Sequence, residues 1–197
     1  MTSTHKPTAV SHLLASHVPG QERLRVLSAS GQLGFGIVQD SLARGLQRKP
    51  HFIGCDMGSI DPGPFYLGSG QMAAPKDMVL RDLELVLLAA RQLNVPLIIG
   101  RAGTAGAKPQ LAATLALLQE VAQKHGLSFS VATVCSDVPR QILIEAVQDG
   151  RLKSLDPDGV ALPLPVPNPS QIELATHIVA QCGTHTFIEA LTHQPDV

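Results

Sequence analysis

The sequence has no tryptophan and one tyrosine, and aromatic residues make up 3% of it. Single-stranded nucleic acids are usually held on aromatic stacking platforms, which this composition does not supply. Basic and acidic residues nearly balance, 15 against 16, for a formal charge of −1. Because no Lys/Arg cluster stands out, the electrostatic footprint of a nucleic-acid-binding surface is also missing. We therefore expect no nucleic-acid partner.

Cysteines and long apolar runs are scarce as well. Cys55, Cys135 and Cys182 are far apart and form no Cys-x-x-Cys pair, which is typical of reduced thiols in a cytoplasmic protein. No apolar run reaches the roughly 18 residues of a membrane span, and residues 1–21 lack the pattern of a secretory signal. The eight histidines show no spacing typical of zinc ligands. These scarcities predict a cytoplasmic protein with no membrane partner.

What the sequence does contain is a regular alternation of short apolar runs and amphipathic segments. This order predicts an α/β fold, with an open, mostly parallel sheet and helices on both faces in a Rossmann-like three-layer arrangement. Ligands of such folds bind at the carboxyl ends of the strands. Strands are predicted at 24–28, 52–55, 95–99 and 128–134, and helices at 35–47, 75–93, 109–125 and 139–148.

The composition divides the chain into three parts. Residues 1–21 are predicted to be a loosely ordered lead-in, and residues 22–155 the α/β core domain. From residue 156 several prolines indicate a semi-rigid connector. A helix is predicted to follow it at 169–182, capped by Asn168 and packed on the core, with a further helical turn at 186–191.

The loop over residues 55–74 is the strongest candidate site, because connecting loops usually need only about 2–6 residues and longer polar loops are more often functional. Asp56 and Asp61 would share acid and base roles or hold a divalent cation. Ser59 would bind substrate, and Tyr66 would donate a proton to an oxyanion. The alternative is that these side chains only cap turns. The predicted site residues here are Asp56, Gly58, Ser59, Asp61, Gly63 and Tyr66.

The loop over residues 100–108 joins a buried strand to a helix and is rich in glycine. Backbone N–H groups at Gly103 and Gly106, together with the helix N-terminus, would cradle an anion. Arg101 and Thr104 would complete this carboxylate or phosphate site, and Lys108 adds charge. No Walker sequence is present. The alternative is that the small residues only permit tight packing of strand against helix.

The loop over residues 28–36 would supply Ser30 and Gly31 to the same pocket. Its glycine order, G-x-x-G-x-G, is the reverse of a dinucleotide fingerprint. Asp56 does end the second strand, where a ribose-binding acid would lie. An NAD(P)-dependent oxidoreductase therefore stands as an alternative.

Four segments, 25–28, 56–68, 81–84 and 96–106, resemble the N-terminal part of the acyclic terpene utilisation (AtuA-like) family, and the resemblance continues to 187–191. The resemblance implies a catabolic protein that handles small branched carboxylates or their acyl-CoA esters, with the CoA ester as substrate rather than cofactor. Arg101 departs from a small serine in the family pattern, and Lys108 from an acid. Longer relatives continue into a further α/β segment, so the resemblance leaves open a split, truncated or short form.

Together these features predict an enzyme or enzyme subunit of lyase, hydratase or isomerase type without a redox cofactor. The alternative of another class is a non-catalytic subunit that completes a partner chain. An exposed apolar edge at residues 183–197 would indicate it. In either case we expect a homo-oligomer or a second subunit, because an unpaired sheet edge is normally covered.

Overall fold

The structure, a computed structural model, describes residues 7–21, 23–59, 62–154 and 165–197. It is an α/β arrangement around an open parallel sheet of three strands, in the order β1 (Val26–Ser30), β2 (Phe52–Asp56) and β3 (Leu97–Gly100). The described helices are α1 (Ala9–Ser16), α2 (Gln39–Leu46), α3 (Phe65–Ser69), α4 (Lys76–Leu93), α5 (Lys108–His125), α6 (Arg140–Gln148), α7 (Pro169–Leu174) and α8 (Thr184–Thr192).

The core lies on one face of the sheet. Leu27, Ile53 and Leu97 are register neighbours on β1, β2 and β3, so their side chains point to the same side. Apolar residues of α2, α4 and α5 pack against them in one cluster. The opposite face is more open, since Val26 on β1 is 55% exposed. Helices on both faces are therefore not evident for β1 and β2 in the described chain.

Two long helices follow the sequence prediction closely, because their ends are encoded locally. The helix α4 ends at Asn94 and α5 ends at Gly126, each in the left-handed conformation with φ of 52° and 59°. A residue of this kind closes a helix without steric cost when it is glycine and at low cost when it is asparagine. The predictions for 75–93 and 109–125 are confirmed to within one residue.

The predicted fourth strand at 128–134 is wrong as a regular element. Only its first half pairs, with the last residues of the chain: the N–H of Ala132 donates to the carbonyl of Val197 (2.9 Å), and the N–H of Val197 donates to Ser130 (3.1 Å). A strand needs a ladder along its length. No described residue continues this ladder beside Val134, so no strand forms.

The predicted helix at 169–182 is also wrong beyond Leu174. Residues 175–182 form no helix, and Val179 forms an antiparallel bridge with Asp137. The N–H of Ala180 donates to Ser136 (2.8 Å). This long-range backbone pairing overrides the local helical pattern. The capping box at Asn168 is present as expected, but it starts only a short helix.

The segment predicted to be a loosely ordered lead-in contains α1, which Thr8 caps and which buries Ala9 and Val10. The boundary between core and connector near residue 156 stays a prediction, because residues 155–164 lie outside the described chain. Within the described ranges, no helix is both long and apolar enough to cross a membrane.

Candidate functional site

Two cavities open near the carboxyl ends of the strands, and Gly100 and Arg101 line both of them. The smaller, of about 480 Å³, lies along the open face of β1 and β2, from Val26 at the start of β1 to Asp56 at the end of β2. The larger, of about 700 Å³, lies beyond β3. The predicted site residues are divided between them. Ser30, Gly31 and Asp56 line the smaller cavity, and Ser59, Gly63, Tyr66, Thr104 and Gly106 line the larger one.

Arg101 is the charged side chain between the two cavities. It is exposed, and the described part of the chain gives its guanidinium no hydrogen bond or ion pair. Its backbone is left-handed, with φ of 49°, directly after β3. A guanidinium without an internal partner can offer its planar fork of donors to a carboxylate or phosphate.

Asp56 ends β2 and faces the smaller cavity. One carboxylate oxygen accepts a hydrogen bond from the N–H of Gly58 (3.0 Å), while the backbone carbonyl of Asp56 accepts from Leu33 (2.8 Å). A Cβ added at Gly100 would lie 3.8 Å from Oδ1 of Asp56. The lack of a side chain at position 100 thus leaves space beside the carboxylate. Among described residues, Asp56 is the one carboxylate that lines either cavity.

Gly58 has a packing role rather than a direct substrate role. A Cβ at this position would lie 2.4 Å from the carbonyl oxygen of Thr104 and 2.7 Å from Cβ of Arg101. Such separations are far inside van der Waals contact, so only glycine fits. Gly58 therefore lets the loop after β2 touch the loop after β3, and this contact positions Arg101.

The anion cradle predicted over residues 100–108 is largely used by the protein itself. The N–H of Thr104 donates to Arg101 (3.0 Å), and that of Gly106 donates to Ala102 (3.0 Å). Gly103 is buried: a Cβ there would lie 2.7 Å from Cβ of Gln110. Its role is therefore close packing, which was the alternative interpretation for this loop.

The N-terminus of α5 already has an anionic partner. The N–H of Lys108 donates to the carboxylate of Asp137 (2.9 Å), which lies in the loop before α6. A carboxylate at this place satisfies an unpaired helix N–H and interacts favourably with the helix dipole. The N–H of Lys108 is therefore used by the protein's own carboxylate, and external anion binding by the rest of this loop stays a prediction. Of the predicted cradle, the Arg101 side chain remains available.

The glycine-rich loop after β1 is also satisfied internally. The buried carboxylate of Asp82, on α4, accepts hydrogen bonds from the N–H groups of Gly34 (2.9 Å), Gly36 (2.9 Å) and Ile37 (3.1 Å). Arg81 pairs with the same carboxylate at 3.1 Å. Because these amides bind Asp82, they do not face a diphosphate. The glycine-rich loop at 28–36 therefore gives no support to the NAD(P)-dependent alternative.

Tyr66 lies on α3, a short helix inside the loop that the sequence marked as a site. The side chain of Gln110 fixes this helix: its Nε2 donates to the backbone carbonyl of Tyr66 (2.6 Å) and to Gln71 (3.3 Å). Ser59 precedes α3 and lines the same cavity as Tyr66. Asp61 lies outside the described residues.

Sequence reasoning missed Asp82, Gln110 and Asp137, which hold the site loops in place. Each acts on residues at least 29 positions away, so no local pattern reveals its role. The one available signal was the resemblance at 81–84, which contains Asp82.

No described group of three or more His, Cys, Asp or Glu residues has the geometry to hold a metal ion. Asp56 and Asp61 together were the predicted cation ligands, and that prediction stays open because Asp61 is not described. Cys55 is not available as a nucleophile, because burial raises the pKa of its thiol to about 12. All three cysteines are free.

Comparison with known proteins leaves the family unassigned. No protein-family model, curated protein or solved structure matches this chain.

Proposed function

We propose that this chain is an enzyme or enzyme subunit that binds a small branched carboxylate, or its acyl-CoA ester, at the Arg101 guanidinium. The single observation that carries the proposal is the exposed Arg101 side chain, which lacks a partner in the described chain and lines both cavities. An unpaired guanidinium at the carboxyl edge of a parallel sheet is well placed for an anionic ligand.

Asp56 is the proposed acid or base. Its carboxylate lies in the cavity that Arg101 also lines, next to the open space at Gly100. Abstraction of a proton beside a carbonyl needs a base, a donor for the developing oxyanion and an anchor for the substrate. Asp56 would be the base in the smaller cavity, and Arg101, which lines both cavities, would be the anchor. Tyr66 or Ser59, in the larger cavity, would be the donor for a substrate that extends past Arg101. A divalent cation held by Asp56 and Asp61 is an alternative source of oxyanion stabilisation.

The reaction class, a lyase, hydratase or isomerase without a redox cofactor, rests on the resemblance of segments 56–68 and 100–106 to the AtuA-like family. All three classes share a proton transfer next to a carbonyl. Exchange of an α-proton is therefore the step to measure first, because it does not require knowledge of the final product.

The test combines binding and exchange. Isovalerate and isovaleryl-CoA are titrated into the protein by calorimetry, and α-proton exchange of the better ligand is followed by NMR in D₂O. Arg101→Gln is expected to weaken binding by about tenfold or more, since a charged hydrogen bond contributes about 1.5–3 kcal/mol. Asp56→Asn is expected to retain binding and lose exchange.

Two matched variants control for charge. Arg48→Gln removes an exposed arginine between α2 and β2, at the amino end of the sheet, and Asp40→Asn removes an exposed carboxylate in the first turn of α2. Neither is expected to alter binding or exchange. Equal affinity in Arg101→Gln and the wild type, or normal exchange in Asp56→Asn, would contradict the proposal.

A second candidate function is a subunit that completes a partner chain. The observation that favours it is the apolar surface of α8, where Phe187 is 38%, Ile188 59% and Leu191 37% exposed. If a partner strand extended the sheet beneath α8, the assembly would acquire the predicted Rossmann-like arrangement with helices on both faces. A stable monomer of full activity in light scattering at micromolar concentration would argue against this candidate.

A further inference from the structure

The short helix α3 carries Tyr66, but the helix does not fix its own place. None of its residues is buried, and an isolated helix of this length does not persist in water. One exposed hydrogen bond, from the hydroxyl of Thr176 to the carbonyl of Gly68 (2.9 Å), ties it to a distant part of the chain. Water replaces such an exposed bond at little cost in free energy. The position of Tyr66 must therefore depend on a contact that is buried.

Gln110, in the first turn of α5, supplies this buried contact. The residue is 0% exposed. Its Nε2 group donates one hydrogen bond to the carbonyl of Tyr66 (2.6 Å) and one to the carbonyl of Gln71 (3.3 Å). These two carbonyls lie on either side of Gly70, the residue that ends α3. One amide group thus holds the end of the helix at two points.

The same side chain also packs against the loop that carries Arg101. A Cβ added at Gly103 would lie 2.7 Å from Cβ and 3.1 Å from Cγ of Gln110, so the absence of a side chain at Gly103 makes room for the glutamine. Gln110 therefore lies between the loop of the proposed anchor, Arg101, and the helix of a proposed donor, Tyr66. Both of these residues line the larger cavity.

The oxygen of the Gln110 amide, in contrast, has no use within the protein. Oε1 is buried, and no described residue donates a hydrogen bond to it. Most buried polar atoms of side chains are paired, because an unpaired one lowers stability. A methionine would fill the same space without this loss. The glutamine is therefore explained by the two bonds that Nε2 makes and not by a gain in stability.

We propose that Gln110 is a positioning residue, which holds Tyr66 where its hydroxyl donates to the oxyanion of the bound substrate. This inference rests on the proposed function and selects Tyr66 over Ser59 as the donor. No described residue forms a hydrogen bond with the Tyr66 hydroxyl, so the hydroxyl is available to a ligand. A donor that is already in place stabilises a developing oxyanion more than one that must first be ordered.

The first experiment measures the order of Tyr66 directly. Tyr66 is the one tyrosine of the sequence, so a ¹⁵N-tyrosine label reports on this position alone. Gln110→Met fills the same space and removes both hydrogen bonds. The order parameter of the Tyr66 amide is expected to fall from about 0.85 to below about 0.6, the values of rigid and flexible backbone. Gln123→Met, at an exposed position of α5, is the matched control and is expected to keep the rigid value.

The second experiment follows α-proton exchange of isovaleryl-CoA at saturating concentration. Gln110→Met is expected to slow exchange about tenfold or more. It is expected to change the Kd of isovaleryl-CoA less than about twofold, because methionine keeps the Cβ and Cγ atoms that pack against Gly103 on the side of Arg101. A lower exchange rate at unchanged affinity is the signature of a misplaced donor.

A double variant tests whether Gln110 acts through Tyr66. Tyr66→Phe removes the donor and is expected to slow exchange about tenfold or more. Adding Gln110→Met to Tyr66→Phe is expected to slow exchange no further, because the group that Gln110 positions is already absent. If Gln110 supported only the fold, the two losses would multiply.

A measurement on the unchanged protein does not depend on whether a variant folds. The Nε2 protons of Gln110 are expected to exchange with D₂O about tenfold or more slowly than those of exposed Gln123, because a buried and bonded amide is rarely opened to solvent.

The inference is overturned if the Tyr66 amide stays rigid in Gln110→Met, if the side-chain amides of Gln110 and Gln123 exchange equally fast, or if the losses multiply in the double variant. Normal exchange in Tyr66→Phe also overturns it, since Ser59 would then be the donor. Failure of the proposed function gives a different result. A wild type without α-proton exchange contradicts the reaction, while the order parameter still decides whether Gln110 positions Tyr66.

Discussion

The two sides of β3 differ in how far their ladders extend. Towards β2, the register runs unbroken from Ile53 opposite Leu97 to Asp56 opposite Gly100. On its other side, the described backbone pairing of β3 is the single hydrogen bond from the N–H of Leu97 to Asp196. The β2 side of β3 is therefore a continuous ladder, and the other side is held at one described position.

On the β2 side of β3, a single buried carboxylate, that of Asp82, holds the loop that follows β1. Asp82→Ala would leave the N–H groups of Gly34, Gly36 and Ile37 unpaired in the interior, and it would free Arg81. We expect a loss of about 3–5 kcal/mol in the free energy of unfolding, measured with urea. Asp77→Ala, at an exposed position in the first turn of α4, is the control and should lose less than about 1 kcal/mol. Equal losses would show that Asp82 does not anchor the loop.

On the side of β3 away from β2, residues 195–197 are anchored by the side chain of Asp196. Its carboxylate accepts hydrogen bonds from the N–H groups of Ala9 (2.7 Å) and Ser130 (2.9 Å) and pairs with Arg91. Burial by itself raises the pKa of this carboxyl, but the two N–H groups and the guanidinium outweigh that effect and hold the pKa below its ordinary value. The ionised form is therefore favoured by folding.

A lowered pKa in the folded state gives stability that is fully present above the ordinary pKa of 3.8 and is lost as the pH falls through the folded value. Asp196→Asn should lower the free energy of unfolding by about 1.5–3 kcal/mol at neutral pH and remove this part of the acid sensitivity. Asp149→Asn, in the exposed pair with Arg151, should lose less than about 1 kcal/mol. If the pH dependence of the free energy of unfolding is the same in Asp196→Asn and the wild type, residues 195–197 are anchored by other contacts.

The contact between the two site loops predicts a smaller effect. Gly58→Ala places a Cβ 2.4 Å from the Thr104 carbonyl, so the loops must separate. We expect a loss of about 1–3 kcal/mol in urea unfolding and weaker binding at the displaced Arg101. Gly31→Ala is the matched control, because nothing lies within 4 Å of its added Cβ and its φ is not left-handed. A destabilisation of Gly31→Ala as large as that of Gly58→Ala would remove the packing argument.

The sequence predicted those elements whose signals are local. The apolar run of β3 and the left-handed caps at Asn94 and Gly126 are enough to place β3, α4 and α5. The predictions failed where the outcome depends on a distant partner. Residues 128–134 have the composition of a strand, but in the described chain their backbone pairs only at Ser130 and Ala132. Residues 175–182 have a helical pattern but pair with the backbone at 136–138.

The same limit applies to the candidate site. Glycine content and charge drew attention to the loops at 28–36 and 100–108, but they did not show that Asp82 accepts hydrogen bonds from the first loop or that Asp137 accepts one from Lys108. Only contacts between residues far apart in sequence distinguish an anion site for a ligand from one filled by the protein's own carboxylate. Arg101 stands out because no carboxylate among the described residues pairs with its guanidinium.

The most direct test of the account is the exchange of two neighbouring amides in the chain alone. Ile98 and Ile99 lie on the same strand with similar partial burial, and they differ in which side their N–H groups face. If the sheet is closed towards β2 and open towards the larger cavity, Ile99 will exchange about tenfold or more faster than Ile98 in two-dimensional NMR. Equal and strong protection of both amides in the monomeric chain would contradict the account.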